Sequence, residues 1–515
     1  VTTLSLATVL AESARRYPDK IAVVDGPLRV SYRDLWAQAR AYAGALAAHG
    51  VRPGDAVGIL SPNVVEFPRA YYGILAAGGV VVPVHLLLTA EEMAYVLTDS
   101  RATVLVCHSS QLATGAKAAA IAGIPVVTVG PAPSSDLDSW PAARLEASEA
   151  APLPTFVTRS ALDPAVVFFT SGTTGKPKGA VLTHLNLVMN CMVGVFDAHR
   201  AMPEDVVLGC LPLFHTFGQT VGMNGTFRVG GTLVLLARFS GAAAIDLMLT
   251  EKVAVFHGVP TMYVGLLEAA AAYSELPKLR LCISGGASLP VAVLERFNAA
   301  FDTTIFEGYG LSETSPTATT NQPHFGTKAG TVGHPIWGVE VEVARAEVDD
   351  RIELLPAGEL GEIVIRGHNV FAGYLGRPEE TAAAIVDGWF RSGDLGTKDE
   401  QGFVSIVDRK KDIVIRGGFN VYPREVEEVL ARHPAVAQVA VIGVPDQIFG
   451  EEIMAVIVPD KAADGTLPTE EEIIAWSQER LGRHKYPRLI RFVDDLPLGP
   501  SMKVLKRELR RTMTA

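Results

Sequence analysis

The string Thr170-Ser-Gly-Thr-Thr-Gly-Lys-Pro-Lys-Gly179 has the composition of a loop that holds phosphate. Thr170, Ser171, Thr173 and Thr174 offer hydroxyl donors, and Lys176 and Lys178 add positive charge. Gly172 and its two fellow glycines let backbone N–H groups turn inward onto an anion. The string is not a P-loop of the GxxxxGK[ST] kind, because Lys176 is followed by Pro177. An apolar run, Ala165 to Phe169, leads straight into it and reads as a strand, the arrangement of strand-to-loop phosphate sites.

The elements that must hold such a loop alternate between two periods. Ser31 with Asp34 forms a capping pair, Leu35, Ala39, Tyr42 and Leu46 recur at helical spacing, and Gly50 ends the run. Ala56 to Leu60 then reads as a strand after a Pro53-Gly54 turn, the pattern of an α/β layered fold. Tyr71 to Ala90 is apolar enough to suggest a membrane span. Gly78-Gly79, Pro83 and His85 predict instead a helix that turns into a short buried strand, Val80 to Val82. Residues 131–155 read as a surface connection. Between about 328 and 407 strand signals crowd together: Val339 to Val343, Glu362 to Arg366 and Phe403 to Val407. The run Asp408-Arg-Lys-Lys-Asp412 interrupts the apolar pattern; Pro423 opens a helix and Ala437 to Val444 is a strand.

The expected fold class is therefore α/β: a large N-terminal domain, 1–407, of layered α/β subdomains plus a small β-barrel-like subdomain, and a smaller mobile α+β C-terminal domain, 408–515, with its hinge at 408–412. A chain of 515 residues with 48% hydrophobic and 20% charged residues has the composition of a globular enzyme. A net charge of −11 with scattered Lys and Arg excludes a nucleic-acid footprint. Cys107, Cys191, Cys210 and Cys282 have no CxxC spacing and read as buried reduced thiols, which fits a cytoplasmic setting. At the N-terminus Arg15 and Arg16 follow the apolar run, so an amphipathic helix is expected there, not a signal peptide.

The ten-residue string resembles the signature of the adenylate-forming superfamily: acyl-CoA synthetases, non-ribosomal peptide adenylation domains and beetle luciferases. Four further strings resemble that family's motifs in order: Gly308-Tyr-Gly-Leu-Ser-Glu-Thr314, Trp389-Phe-Arg-Ser-Gly-Asp394, Asp408-Arg409 with Gly417-Gly418, and Pro497 to Lys506. The resemblance implies ATP and coenzyme A as substrates, Mg²⁺ as cofactor, no nucleic-acid partner and no transmembrane segment, and leaves a homodimer open. It implies that Tyr309 stacks on adenine, that Asp394 and Arg409 hold the ribose, and that Gly286, Ala287, Glu307, Gly308 and Gly310 line the nucleotide. Glu313 would hold Mg²⁺, and Thr314 would donate to the α-phosphate or the substrate carboxylate. Lys503 would be the catalytic cation of adenylation, with Lys506 and Arg507 on a solvated face. Lys411 would be the hinge about which the C-terminal domain rotates, bringing Gly417-Gly418 to the site for a pantetheine arm. One departure stands out: the family has Gly before the catalytic lysine, and this chain has Met502, a stiffer backbone.

For the acid, the segment Leu211 to Gly218 is the most informative. Amino-acid-activating relatives place Asp where this chain has His215, so an amino-acid ammonium would be buried unpaired. His215 is instead similar to the residue of acyl-CoA synthetases that lines the acyl site. Val221, Gly222, Met223, Gly225 and Phe227, with Gly258, Val259, Thr261, Met262 and Gly285, are apolar or small. They predict a pocket for an apolar acyl chain and against a dicarboxylate. The expected reaction is ligation of a medium- or long-chain fatty acid to coenzyme A. The alternatives are an aryl acid and an acyl-AMP ligase that loads a carrier protein. A non-catalytic adenylate-binding protein is disfavoured by Lys503, Glu313 and the loop.

Overall fold

The computed structural model describes residues 2–131, 143–170, 176–460, 467–499 and 503–513. Ser171, Gly172, Thr173 and Thr174 of the phosphate loop, and Met502, lie outside the described residues.

Two large sheets carry the N-terminal part. In the seven-stranded sheet, Ala56–Leu60, Val80–Pro83, Ala102–His108 and Val126–Val129 run parallel beside Pro164–Thr170. The nine-stranded sheet has a parallel core, Thr232–Leu235, Val206–Gly209, Val255–Gly258, Leu281–Ser284 and Ile305–Gly310, and antiparallel edges. Their strands are short and apolar on both faces, as parallel strands covered by helices must be. The helix Tyr32–Ala48 begins where expected: the Ser31 hydroxyl accepts from Asp34 N–H at 3.1 Å. Leu35, Ala39, Tyr42 and Leu46 are all buried. The helix Glu66–Ala76 turns at Gly78 (φ +79°) into Val80–Pro83, and no described helix is long and apolar enough to cross a membrane. Val9 and Leu10 of the N-terminal helix Thr8–Arg16 are buried, and all four cysteines are buried and free.

One expectation holds and one needs correction. The strand expected at Ala165 to Phe169 is present as Pro164–Thr170, and it pairs antiparallel with Lys178–Thr183, the strand on the other side of the expected phosphate loop. Within the connection expected at 131–155, Ala143–Arg144 is a parallel edge strand on Val126–Val129, so part of it is ordered by backbone pairing; residues 132–142 lie outside the described set.

A five-stranded antiparallel sheet follows, built from Val339–Ala344, Gly361–Gly367, Ile385–Val386, Trp389–Lys398 and Val404–Arg409. The remainder folds around its own apolar core, with Val414, Val426, Leu430, Ile453 and Ile473 among its buried members. Its sheet pairs Val436–Asp446 with Gly450–Pro459 and is flanked by the helix Pro423–Leu430. Asp408 joins the two parts: its Oδ2 accepts from Arg424 N–H at 2.9 Å, satisfying a free donor in the first turn of that helix.

Candidate active site

Three neighbouring parallel strands end at one crevice. Val255–Gly258 delivers Val259, Leu281–Ser284 delivers Gly285 and Gly286, and Ile305–Gly310 carries Glu307 and Tyr309. The carboxyl ends of such strands are where open α/β sheets bind ligands.

Lys503 reaches into this crevice from the C-terminal unit and lines a small pocket with Leu211, Pro212, His215, Phe217, Val259 and Gly286. Gly286 has φ +82°, and a Cβ on it would lie 3.0 Å from Lys503 Cε and 3.5 Å from Nζ. Glycine is thus required twice, by its backbone and by the lysine against it. Burial, reinforced by Arg409 and opposed by Asp394, lowers the Lys503 ammonium to about 8. Burial also lowers His215 to about 3, with Lys503 and His85 adding to the effect. His215 Nδ1 accepts from Phe217 N–H at 3.2 Å, which assigns the proton of the neutral ring to Nε2. The pair is therefore a cation beside a neutral hydrogen-bond donor, a suitable arrangement for a carboxylate.

Where the nucleotide is expected, the Tyr309 hydroxyl donates to Asp394 Oδ2 at 2.6 Å, and Arg409 Nε stands 3.6 Å from Asp394 Oδ1. These three expected residues are brought together. Gly308 and Gly310 face Thr320 and Thr317 across an antiparallel pair, and a Cβ on Gly310 would collide with the Pro316 carbonyl. The glycines admit the neighbouring strand. Glu307 is 2% exposed; its Oε1 accepts from Leu289 N–H at 3.1 Å, while Oε2 has no partner among the described residues. Burial lifts its carboxyl to about 7, with Arg424 of the C-terminal unit acting against the shift. Ala287 follows Gly286 on the exposed side of the crevice.

Glu313 is buried and stands at the base of the phosphate hairpin, where Oε1 accepts from Thr170 Oγ1 at 3.3 Å and from Tyr374 OH at 3.0 Å. Lys178 Nζ lies 5.1 Å above the Tyr374 ring. No cluster of three metal-ligating residues exists among the described residues, so a cation here would rest on the one carboxylate and on nucleotide oxygens, the habit of Mg²⁺. Glu313 and Thr170 fit that role.

Thr314 is placed differently from the expectation of a free donor. It is fully buried; its hydroxyl accepts from Leu311 N–H at 2.8 Å and donates to the Pro316 carbonyl, so it fixes a turn. Gly417 (φ +56°) and Gly418 (φ +84°) form the exposed tip of the hairpin Val414–Arg416 to Phe419–Val421, and are not with Lys503. Lys411 lies in the turn between Val404–Arg409 and Val414–Arg416. Lys506 is not simply solvated: its Nζ is 2.7 Å from Glu427 Oε1, whereas Arg507 is exposed.

Off the same elements opens a second cavity, of about 40 Å³ and larger than the lysine pocket. Its apolar walls include Val207, Val221, Val255, Leu281 and Ile283. Two π-helical segments, Val193–Ala198 and Phe217–Asn224, border it. Such wide turns are rare and concentrate at functional sites. Phe217 lines the lysine pocket, its ring atoms would lie 3.4–3.5 Å from a Cβ on Gly285, and it stacks on His257 at 6.4 Å between centroids.

Residues 10–375 match the family model described as AMP-binding enzyme, and residues 425–503 match that of the AMP-binding enzyme C-terminal domain. The chain belongs to the AMP-binding enzyme family. It is a ligase by that membership. It is 34% identical to a long-chain-fatty-acid–CoA ligase of Bacillus subtilis (strain 168), over 98% of this chain and 94% of the relative. It is 37% identical to a feruloyl-CoA synthase of Amycolatopsis sp, over 97% of each. Among solved structures, ATP-bound MatB from Rhodopseudomonas palustris superposes with a TM-score of 0.88 at 36% identity, covering 98% of both chains.

Of the residues expected around the acid, Val221 and Gly225 line the large cavity of this enzyme, and His215 and Val259 the small one. Met223, Phe227 and Met262 point into the core instead. The sequence reading missed His85, His257 and the strand residues Val207, Val255, Leu281 and Ile283. A period-of-two reading of Val255–Gly258 would have separated Val255 and His257 from Phe256, which packs on Tyr263.

Proposed function

We propose that this AMP-binding enzyme joins a carboxylic acid with an apolar body to coenzyme A in two steps, and that the acid is a medium- or long-chain fatty acid. In the first step a carboxylate oxygen attacks the α-phosphorus of ATP, the bond to the β-phosphate oxygen breaks, and pyrophosphate leaves. In the second the CoA thiolate attacks the acyl carbon of the mixed anhydride and AMP leaves. The observation that carries this reading is the placement of Lys503 beside His215 and Gly286, in a pocket at the ends of strands whose earlier residues wall an apolar cavity.

Each residue has a task in that scheme. His215 Nε2–H orients the acid's carboxylate, and the Lys503 ammonium stabilises charge that develops on the α-phosphate. Losing one such group costs about 2.7–4 kcal/mol, or roughly 10²–10³ in rate. Asp394 and Arg409 hold the ribose beneath the Tyr309 ring. Glu313 and Thr170 would hold Mg²⁺, which when bound neutralises phosphate charge. The C-terminal unit then rotates about Lys411, withdrawing Lys503 and presenting Gly417-Gly418 to the pantetheine arm. An aryl acid is the second reading, favoured by the 37% identity to a feruloyl-CoA synthase.

The test is pyrophosphate release over a panel of fatty and aryl acids, with and without coenzyme A, and with a carrier protein as competing acceptor. A CoA thioester from the fatty acids is expected. Transfer to the carrier protein alone would replace coenzyme A in the scheme, and turnover confined to aryl acids would replace the fatty acid.

A further inference from the structure

The walls of the large cavity are apolar, but two polar atoms in them have no partner. Thr220 is fully buried and its Oγ1 is unbonded among the described residues; His257 is 6% exposed and its Nδ1 is likewise unbonded. Four other polar side chains of the lining are bonded. Asn190 Nδ2 donates to the Thr317 carbonyl at 2.8 Å and its Oδ1 accepts from Thr317 N–H at 3.3 Å. His199 Nε2 is 3.3 Å from Thr320 Oγ1. Thr226 Oγ1 donates to the Gly222 carbonyl at 2.6 Å. Asp205 takes Arg280 at 3.0 and 2.5 Å and caps Met202 N–H at 2.7 Å. Other buried polar atoms of this chain also lack a protein partner, but these two share one cavity, where a bound molecule or water completes them.

Both residues are sited to meet the acid. Thr220 lies on the π-helical segment that begins with Phe217, and His257 stacks on the Phe217 ring, which also lines the lysine pocket. In the ligase reading, a chain or ring whose carboxylate sits at Lys503 and His215 passes Phe217 to meet the wall that carries them. The charges exclude an anionic tail. Asp205 is already a carboxylate in this lining, Arg280 is engaged by it, and burial keeps His199 near 4 and His257 near 3, so both rings are neutral. A hydroxyl that accepts and donates, and a neutral imidazole nitrogen, together suit an uncharged oxygen.

We infer that the acid activated here carries a neutral oxygen function, a hydroxyl or keto group, on its apolar body, and that Thr220 and His257 recognise it. The inference rests on the ligase reading above. It narrows the acid to oxygenated members of the apolar class and makes Thr220 and His257 specificity determinants, with no part in the chemistry at the carboxylate.

The test compares kcat/KM for thioester formation by the full-length enzyme on acids that differ only in that oxygen. The probes are decanoate against positional series of hydroxy- and keto-decanoates, cinnamate against its para-hydroxy counterpart, and decanedioate as the anionic tail. At least one oxygenated acid is expected to exceed its parent by roughly tenfold or more, because a site with buried polar groups rejects the analogue that leaves them unpaired. Decanedioate is expected to be the poorest of the decanoate series. In Thr220→Val and His257→Phe the ratio between matched acids should fall towards one. That ratio is internal to each preparation, so a loss of folded protein does not imitate it. Equal or better use of the plain acids by the unmodified enzyme overturns the inference and leaves the ligase reading standing. Absence of thioester from every acid, with carrier-protein loading or silence in its place, overturns both.

Discussion

Lys503 and Glu307 are both buried titratable groups displaced towards neutrality, and they predict opposite consequences. In the proposed reaction the lysine must be charged to stabilise the α-phosphate, and burial has lowered it to about 8. It is protonated below that pH and loses its proton above it, so kcat/KM for adenylation, which reports the free enzyme, should decline as pH rises through about 8. Pyrophosphate release measured from pH 6 to pH 10 (about one unit either side of the lysine and beyond) checks this. Lys503→Arg should move the decline out of that range even though its rate is lower. Glu307 is a carboxyl raised from 4.5 to about 7. Between those values the folded state binds the extra proton, so its contribution to stability falls as pH rises from 4.5 and the full cost is present above 7. Glu307→Gln keeps the acceptor for Leu289 N–H and removes the buried charge. Its unfolding midpoint should exceed the wild type's at pH 8, by an amount equivalent to at most about 3 kcal/mol, and the gain should shrink at pH 5. Nucleotide affinity is expected to fall in the same variant, the usual exchange of stability for function at a perturbed group.

At the scale of elements, the crevice depends on strand ends that bring glycine where other backbones and side chains pass. Gly286→Ala should test this directly. Its φ of +82° is strained for any other residue by about 1–2 kcal/mol, and the new methyl meets Lys503 Cε at 3.0 Å. Adenylation should fall about tenfold or more, while thioester formation from supplied acyl-AMP, which does not need that lysine, should fall less; rapid-quench assays of the two half-reactions separate them. Most of these strands were legible in the sequence. Short apolar runs bounded by Gly and Pro marked Ala56–Leu60, Val80–Pro83 and Pro164–Thr170 to within a residue or two. Their inward faces were not legible, because strands covered on both sides have no polar alternation to orient them; hence His257 and Ile283 escaped notice. The π-helical segments were invisible for a related reason: their wider turn leaves no distinct period in the sequence over six or eight residues. Tyr309, Asp394 and Lys503 were found through motif resemblance, which identifies residue types in order and says nothing of hydrogen bonds. Thr314 shows the difference, since its hydroxyl is committed to Leu311 and Pro316.

The whole molecule holds one of two arrangements that the proposed reaction needs. Lys503 lies in the crevice, and the Gly417-Gly418 hairpin is exposed on the outside of the C-terminal unit. Apart from Lys503 in its pocket, polar contacts cross the two parts. Val291 N–H donates to Glu428 Oε2 at 3.3 Å, Arg424 donates to the Ile406 carbonyl, and Arg424 faces the buried Glu307. The apolar cores, in contrast, are separate, one closing with Val404 and the other opening with Val414. A joint between two complete cores costs little apolar burial to move, so rotation needs only a permissive turn, and Lys411 lies in it. Lys411→Pro restricts that turn through its fixed φ without touching either core. The variant should keep adenylation within about threefold of wild type and lose thioester formation by roughly 10²-fold, because the hairpin does not reach the adenylate. Lys503→Ala should show the reverse, with adenylation down roughly 10²–10³-fold and thioester formation from supplied acyl-AMP retained. Equal loss of both half-reactions in both variants would mean that one arrangement serves both steps, and that the rotation about Lys411 has been misassigned.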